Sequence, residues 1–130
     1  MEKLDLYKCD ICGNIVQIIA SGGGELVCCG KSMTKLEAKQ TEEAAIEKHV
    51  PVFNKLQSGD VEIRVGEVLH PMEENHHIMF IQAFSKDKNY SYLKYLNRSD
   101  EPKMLLKDDN LFKIAREYCN IHGLWEGNND

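Results

Sequence analysis

The chain has 130 residues, 42% of them hydrophobic, with a formal net charge of −5. That is enough for one modest domain, or for such a domain carrying a small appendage. An acidic balance with no basic block and no basic-aromatic interleaving argues against nucleic acid as a partner, and the absence of a long apolar run argues against a membrane span.

The start, Met1-Glu2-Lys3-Leu4-Asp5, has no apolar signal segment, so a cytoplasmic protein is expected. Five cysteines, an odd number, then favour metal binding over disulfides, because the cytosolic thiol pool is reducing.

Residues 1–37 carry four of those cysteines. Cys9-x-x-Cys12 is followed after fifteen residues by Cys28-Cys29-Gly30. A C-x-x-C knuckle brings two thiolates to one metal from a tight turn, and Gly13 and Gly30 follow each pair where a positive φ is needed. Gly22-Gly23-Gly24 reads as a hairpin tip joining Ile15–Ala20 to Glu25–Val27. The expectation is a metal-stapled hairpin with too little core to stand alone. Cys28 and Cys29 are adjacent, so on a regular strand they would face opposite sides. For both to bind one metal, the backbone must leave the strand there. Spacing predicts a four-cysteine site and leaves zinc and iron open, since both accept four thiolates.

Residues 38–46 are polar and read as a linker, with Ala38–Ala45 free of glycine. In Glu47-Lys48-His49-Val50-Pro51, the proline pushes Val50 toward an extended conformation. That places His49 on an exposed loop entering the next domain, 47–130. There Val61, Ile63 and Val65 alternate with Glu62 and Arg64, a strand with one buried face. Further strands are expected at Val52–Leu56, His77–Phe84, Tyr90–Leu96, Lys103–Leu106, Phe112–Tyr118 and Leu124–Trp125. Turns separate them at Ser58-Gly59-Asp60, Asp87-Lys88-Asn89, Ser99-Asp100-Glu101-Pro102 and Asp108-Asp109-Asn110. Phe112–Tyr118 alternates poorly and could be a helix. Seven short strands with regular breaks predict a small antiparallel sandwich, and the fold class expected for the whole chain is mainly β.

The five histidines fall at turns or strand ends. His70 precedes Pro71, His76 and His77 follow the Glu73-Glu74-Asn75 loop, and Cys119-Asn120-Ile121-His122 closes with Gly123, a metal-knuckle spacing. With His49 they suggest one metal site assembled by folding. Imidazole with thiolate narrows the metal to iron, zinc or copper. On an extended chain His76 and His77 face opposite sides, so one of them is a bystander, and parity does not say which.

Taken in order, Cys9-x-x-Cys12, Cys28-Cys29-Gly30, Glu47-Lys48-His49-Val50-Pro51, His70-Pro71-Met72-Glu73-Glu74, Asn75-His76 and Tyr118-Cys119-Asn120-Ile121-His122-Gly123 closely resemble desulfoferrodoxin, the two-iron class of superoxide reductase, over nearly the whole chain. The resemblance implies a desulforedoxin-like domain holding one iron by Cys9, Cys12, Cys28 and Cys29, and an immunoglobulin-like sandwich with a second iron. There His49, His70, His76 and His122 would be equatorial ligands and Cys119 the axial one. Glu47 would cap the open position of the ferric site, and Lys48 would attract superoxide and help protonation. The resemblance also implies a homodimer fed by a rubredoxin-type donor, acting in detoxification of reactive oxygen. His77 and Met79-Phe80 depart from the family pattern, which has an aromatic residue and Glu-Trp there. A non-catalytic iron electron carrier is the alternative.

Overall fold

In a computed structural model the described residues are 1–40, 49–66, 72–107 and 110–129. Contacts divide the chain into two compact units, Met1–Glu37 and Ala38–Asp130.

In the first unit the strands are β1 (Leu6–Lys8), β2 (Ile15–Gln17), β3 (Val27–Cys28), β4 (Lys31–Ser32) and β5 (Thr34–Lys35). They form a three-stranded sheet ordered β2-β1-β5 and a separate β3-β4 hairpin. The expected pairing of Ile15–Ala20 with Glu25–Val27 across the glycines does not form. β2 pairs with β1, and β3 with β4. The hairpin tips are the cysteine pairs themselves, because Gly13 (φ 83°) and Gly30 (φ 73°) reverse the chain beside them. Gly22-Gly23-Gly24 merely connects the two hairpins. The buried apolar side chains are few: Leu4, Leu6, Cys9 and Ile18.

The second unit contains β6 (Pro51–Lys55), β7 (Val61–Val65), β8 (Ile78–Ser85), β9 (Ser91–Tyr95), β10 (Lys103–Leu106), β11 (Phe112–Cys119) and β12 (Gly123–Asn128). Sheet β10-β7-β6 faces sheet β12-β11-β8-β9, and every pairing is antiparallel. The first, second and fifth strands lie on one sheet and the others on the second, the arrangement of an immunoglobulin-like sandwich. Ile63, Val65, Met104, Ile81, Ala83, Ala115 and Cys119 meet between the sheets. β7 and β10 alternate as their sequences predict: Met104 and Leu106 are buried while Leu105 is exposed.

β8 and β11 lack that alternation because both of their faces are covered. On the face away from the core, Phe80 stacks with Tyr118 at 6.1 Å. Arg116 lies 5.1 Å from the Phe84 ring centroid and donates to Gln82 at 2.8 Å. The helical alternative for Phe112–Tyr118 is therefore a strand buried on two sides. Between Tyr118↔Phe80 and Cys119↔Ile78 the register skips Met79. This bulge turns both Ile78 and Ile81 inward and ends the strand beside Cys119.

Residues 38–40 do not trail freely, as a linker over 38–46 would suggest. Lys39 forms a parallel bridge with Trp125 of β12. Beside it β12 presses on the start of β6, where a Cβ at Gly127 would overlap the Pro51 carbonyl. That approach brings the chain just before β6 against β12, which fixes where His49 lies.

Candidate metal centres

In the first unit the sulfurs of Cys9, Cys12, Cys28 and Cys29 lie within 4.8 Å of one another. Cys12 Sγ is 3.5 Å from Cys28 Sγ, which is 4.0 Å from Cys29 Sγ. Cys29 has φ 53°, so the chain leaves the strand at the second of the adjacent pair and both thiols reach the same point. The Cys12 backbone N–H donates to Cys9 Sγ at 3.4 Å and holds the Cys9 thiol down to about 6. The Cys12 thiol beside Cys28 pushes that group up to about 12, and Cys29 is raised by the same neighbour. Four sulfurs this close cannot all ionise alone. A dication removes that conflict, so the set fits a tetrathiolate metal.

The second group brings together His49, His76, Cys119 and His122, again with one ligand atom each within 4.8 Å. Cys119 ends β11 and His122 precedes β12, joined by a turn that Gly123 (φ 84°) completes. Cys119 Sγ lies 3.8 Å from His122 Nδ1. His49 Nε2 lies 2.9 Å from that same Nδ1. The His76 ring centroid is 5.0 Å from that of His122. The expectation of an exposed His49 is corrected: it is only 2% exposed. Its ring stacks on Trp125, with centroids 4.9 Å apart and planes 25° from parallel. Burial pushes the Cys119 thiol above its ordinary range, so metal must displace a proton to bind there. Three imidazoles and one thiolate suit iron, zinc or copper. Glu47, Lys48 and His70 lie outside the described residues.

The choice that parity left open is made by two turns. Glu73 and His76 exchange backbone hydrogen bonds, 2.9 Å from Glu73 N and 3.2 Å from His76 N, which folds 73–76 into a tight reversal. Asn120 then clamps it. Its amide donates to the Asn75 carbonyl at 3.1 Å and accepts from the His77 N–H at 2.9 Å. His76 is thereby held among the donors. His77 is not among them, and its Nδ1 lies 3.0 Å from the Glu73 carbonyl.

Neither Asn120 nor Trp125 was singled out from sequence. Asn120 could have been: an amide between two ligands of a C-x-x-H turn is the side chain best placed to brace it. Asn120→Ala is expected to weaken metal binding at this centre about tenfold and to cost about 1–2 kcal/mol of stability. Metal competition titrations and thermal melts read the two effects, and unchanged affinity would refute the clamp.

Glu117, fully buried, projects from β11 two residues before Cys119. Neither carboxyl oxygen has a hydrogen-bond partner among the described residues. Burial raises its pKa well above the ordinary carboxyl range. The folded state then keeps a proton that the unfolded state has released. The stability this group allows is full at acid pH and is lost as pH rises toward the folded value. Glu117→Gln is expected to raise the melting temperature at pH 7 and to flatten the fall in stability above pH 5. Parallel melting-temperature profiles for the two proteins would refute this.

The comparisons follow the same division. A family model described as desulfoferrodoxin matches residues 41–128, and one described as the desulfoferrodoxin N-terminal domain matches 1–36. A desulfoferrodoxin of Desulfarculus baarsii is 45% identical over 128 residues, covering 98% of each chain. The crystal structure of a superoxide reductase from Treponema pallidum has the same fold, with TM-score 0.72 at 24% identity over 96% of this chain and 97% of that one. A superoxide reductase of Giardia intestinalis is 34% identical with TM-score 0.52, over 65% of this chain and 98% of its own. With both halves matched, and with a cysteine cluster in one unit and a histidine-cysteine cluster in the other, the chain belongs to the desulfoferrodoxin family.

Proposed function

We propose that this protein is a two-iron superoxide reductase, which adds one electron and two protons to superoxide and releases hydrogen peroxide. The observation that carries the reading is a buried thiol, Cys119, converging with three imidazoles at one point of the sandwich. It is supported by family membership and by the Giardia relative of that name. Iron in the second centre would supply the one-electron chemistry, which zinc cannot.

In this reading His49, His70, His76, His122 and Cys119 would hold the iron of the second centre. The Cys119 thiolate would supply electron density to that iron. Cys9, Cys12, Cys28 and Cys29 hold the other iron. Residues 1–37 form the desulforedoxin-like domain and 47–130 the catalytic one, with the linker between them tied to β12 at Lys39. Lys48 attracts the anionic substrate against a net charge of −5, and Glu47 covers the resting site. The protein works as a cytoplasmic homodimer that takes electrons from a rubredoxin-type donor. No described helix is long and apolar enough to cross a membrane.

The test is to mix the reduced, iron-loaded protein with superoxide and trap the products. One peroxide per superoxide without dioxygen supports the reductase. Dioxygen release would make it a dismutase, and no reaction would leave an electron carrier. Lys48→Ala should slow the reaction and flatten its dependence on ionic strength.

A further inference from the structure

The last described residues before position 41 are fixed to the sandwich on both sides of the backbone. The Lys39 N–H donates to the Leu124 carbonyl at 2.9 Å, and the Glu126 N–H donates to the Lys39 carbonyl at 2.9 Å. Gln40 Nε2 adds a bond to the Glu126 carboxylate at 2.9 Å. From this anchored position the Lys39 side chain reaches two groups of the histidine-cysteine centre. Its ammonium donates to the His122 carbonyl at 3.2 Å and lies 5.0 Å from the Trp125 ring centroid.

Trp125 makes the connection inward. Its indole N–H donates to the same His122 carbonyl at 3.1 Å, and its ring lies flat against His49. One carbonyl therefore receives two donors, and it belongs to a residue whose ring faces the other donors of the centre. The side chain of Lys39 is exposed and the indole is buried. The cation thus closes the solvent edge of a stack that ends on His49. Cation–π attraction and a charge-assisted hydrogen bond both act along this edge.

We propose that Lys39 is a positioning residue of the second metal centre. It holds the Trp125 indole against His49, and its charge, placed at the His122 carbonyl, favours the reduced, more electron-rich state of the centre. The redox half of this rests on the proposed iron chemistry; the positioning half rests only on the contacts of the side chain. Outer groups that orient metal ligands commonly change metal affinity tenfold or more. An exposed one belongs at the lower end of that effect.

The experiment compares the full-length, iron-loaded protein with Lys39→Met and Lys39→Arg. Trp125 is the one tryptophan of the chain, so its emission reports this stack and nothing else. The expected result for Lys39→Met is a shifted emission spectrum, ferrous iron lost from the second centre to a chelator about tenfold faster, and a lower reduction potential. Lys39→Arg restores all three, because guanidinium keeps the charge and the ring contact. Unchanged emission and iron release in Lys39→Met would overturn the positioning role. An unchanged potential alone would overturn the electrostatic role. Emission and iron release do not depend on superoxide, so a protein that failed to reduce superoxide would sink the proposed function and leave this inference to be judged on its own readouts.

Discussion

Cys119→Ser is expected to lower superoxide reduction at least about a thousandfold, close to 4 kcal/mol of barrier, while the cysteine centre keeps its metal. The substitution changes one atom. Cys119 is fully buried at the end of β11, within a core that includes Ile78 and Ala115, and a serine hydroxyl fits the same space, so the sandwich should remain folded. What is lost is a soft, polarizable anion. The thiol stands above its ordinary range when metal-free because it is buried, but a cation beside it makes the thiolate the stable form. A serine hydroxyl is far harder to ionise and is a poor partner for iron in an imidazole-rich site. With it would go the electron density that a thiolate supplies to iron, as in thiolate-ligated haem. Stopped-flow rates at matched iron content decide the matter. A serine variant keeping more than a tenth of the rate would show that the sulfur is only a ligand of convenience.

The sandwich was readable wherever one face of a strand meets solvent. Val61–Val65 alternates, and its even positions pair outward as Arg64 and Glu62 do, 3.6 Å apart. β8 and β11 were harder because stacked rings and the Arg116–Gln82 bond bury their outer faces, so period two disappears. The donor residues stood out because they sit at turns, where a histidine or cysteine has no packing reason to be. Their surroundings did not stand out. His49 looked exposed because a residue two before a proline reads as loop. Its burial comes from Trp125, far along the chain, and from the close approach of Gly127 to Pro51. The selection of His76 over His77 depends on the reversal at 73–76 and on the Asn120 clamp, whose partners Asn75 and His77 lie far from it in the chain. In the first unit the three glycines looked like a hairpin tip. The cysteine pairs took that place because each is followed by a glycine at positive φ.

Removing metal from the cysteine centre is expected to unfold residues 1–37 while the sandwich stays folded. The first unit buries Leu4, Leu6, Cys9 and Ile18, yet leaves Ile11, Val16, Ile19 and Val27 exposed. Its strands are two or three residues long. Such strands lack a core large enough to offset the chain entropy. Binding energy for a structural tetrathiolate metal, on the order of 10 kcal/mol at neutral pH, is then most of what holds the unit together. Cys9→Ser should act like the chelator, since Cys9 is 2% exposed and belongs to both the cluster and the small core.

Acid favours the same collapse. The thiols of Cys28 and Cys29 are both raised, so at least these two lose protons when metal binds. The apparent affinity should therefore fall at least about a hundredfold per pH unit as pH drops below neutrality. Amide hydrogen exchange tests this directly. After chelation, Tyr7 and Val16, paired across β1 and β2, should exchange at unfolded rates, while Ile63, paired between β6 and β10, stays protected. Protection of Tyr7 that survives complete metal removal would mean that the short strands hold themselves and that the four cysteines are not the staple of this unit.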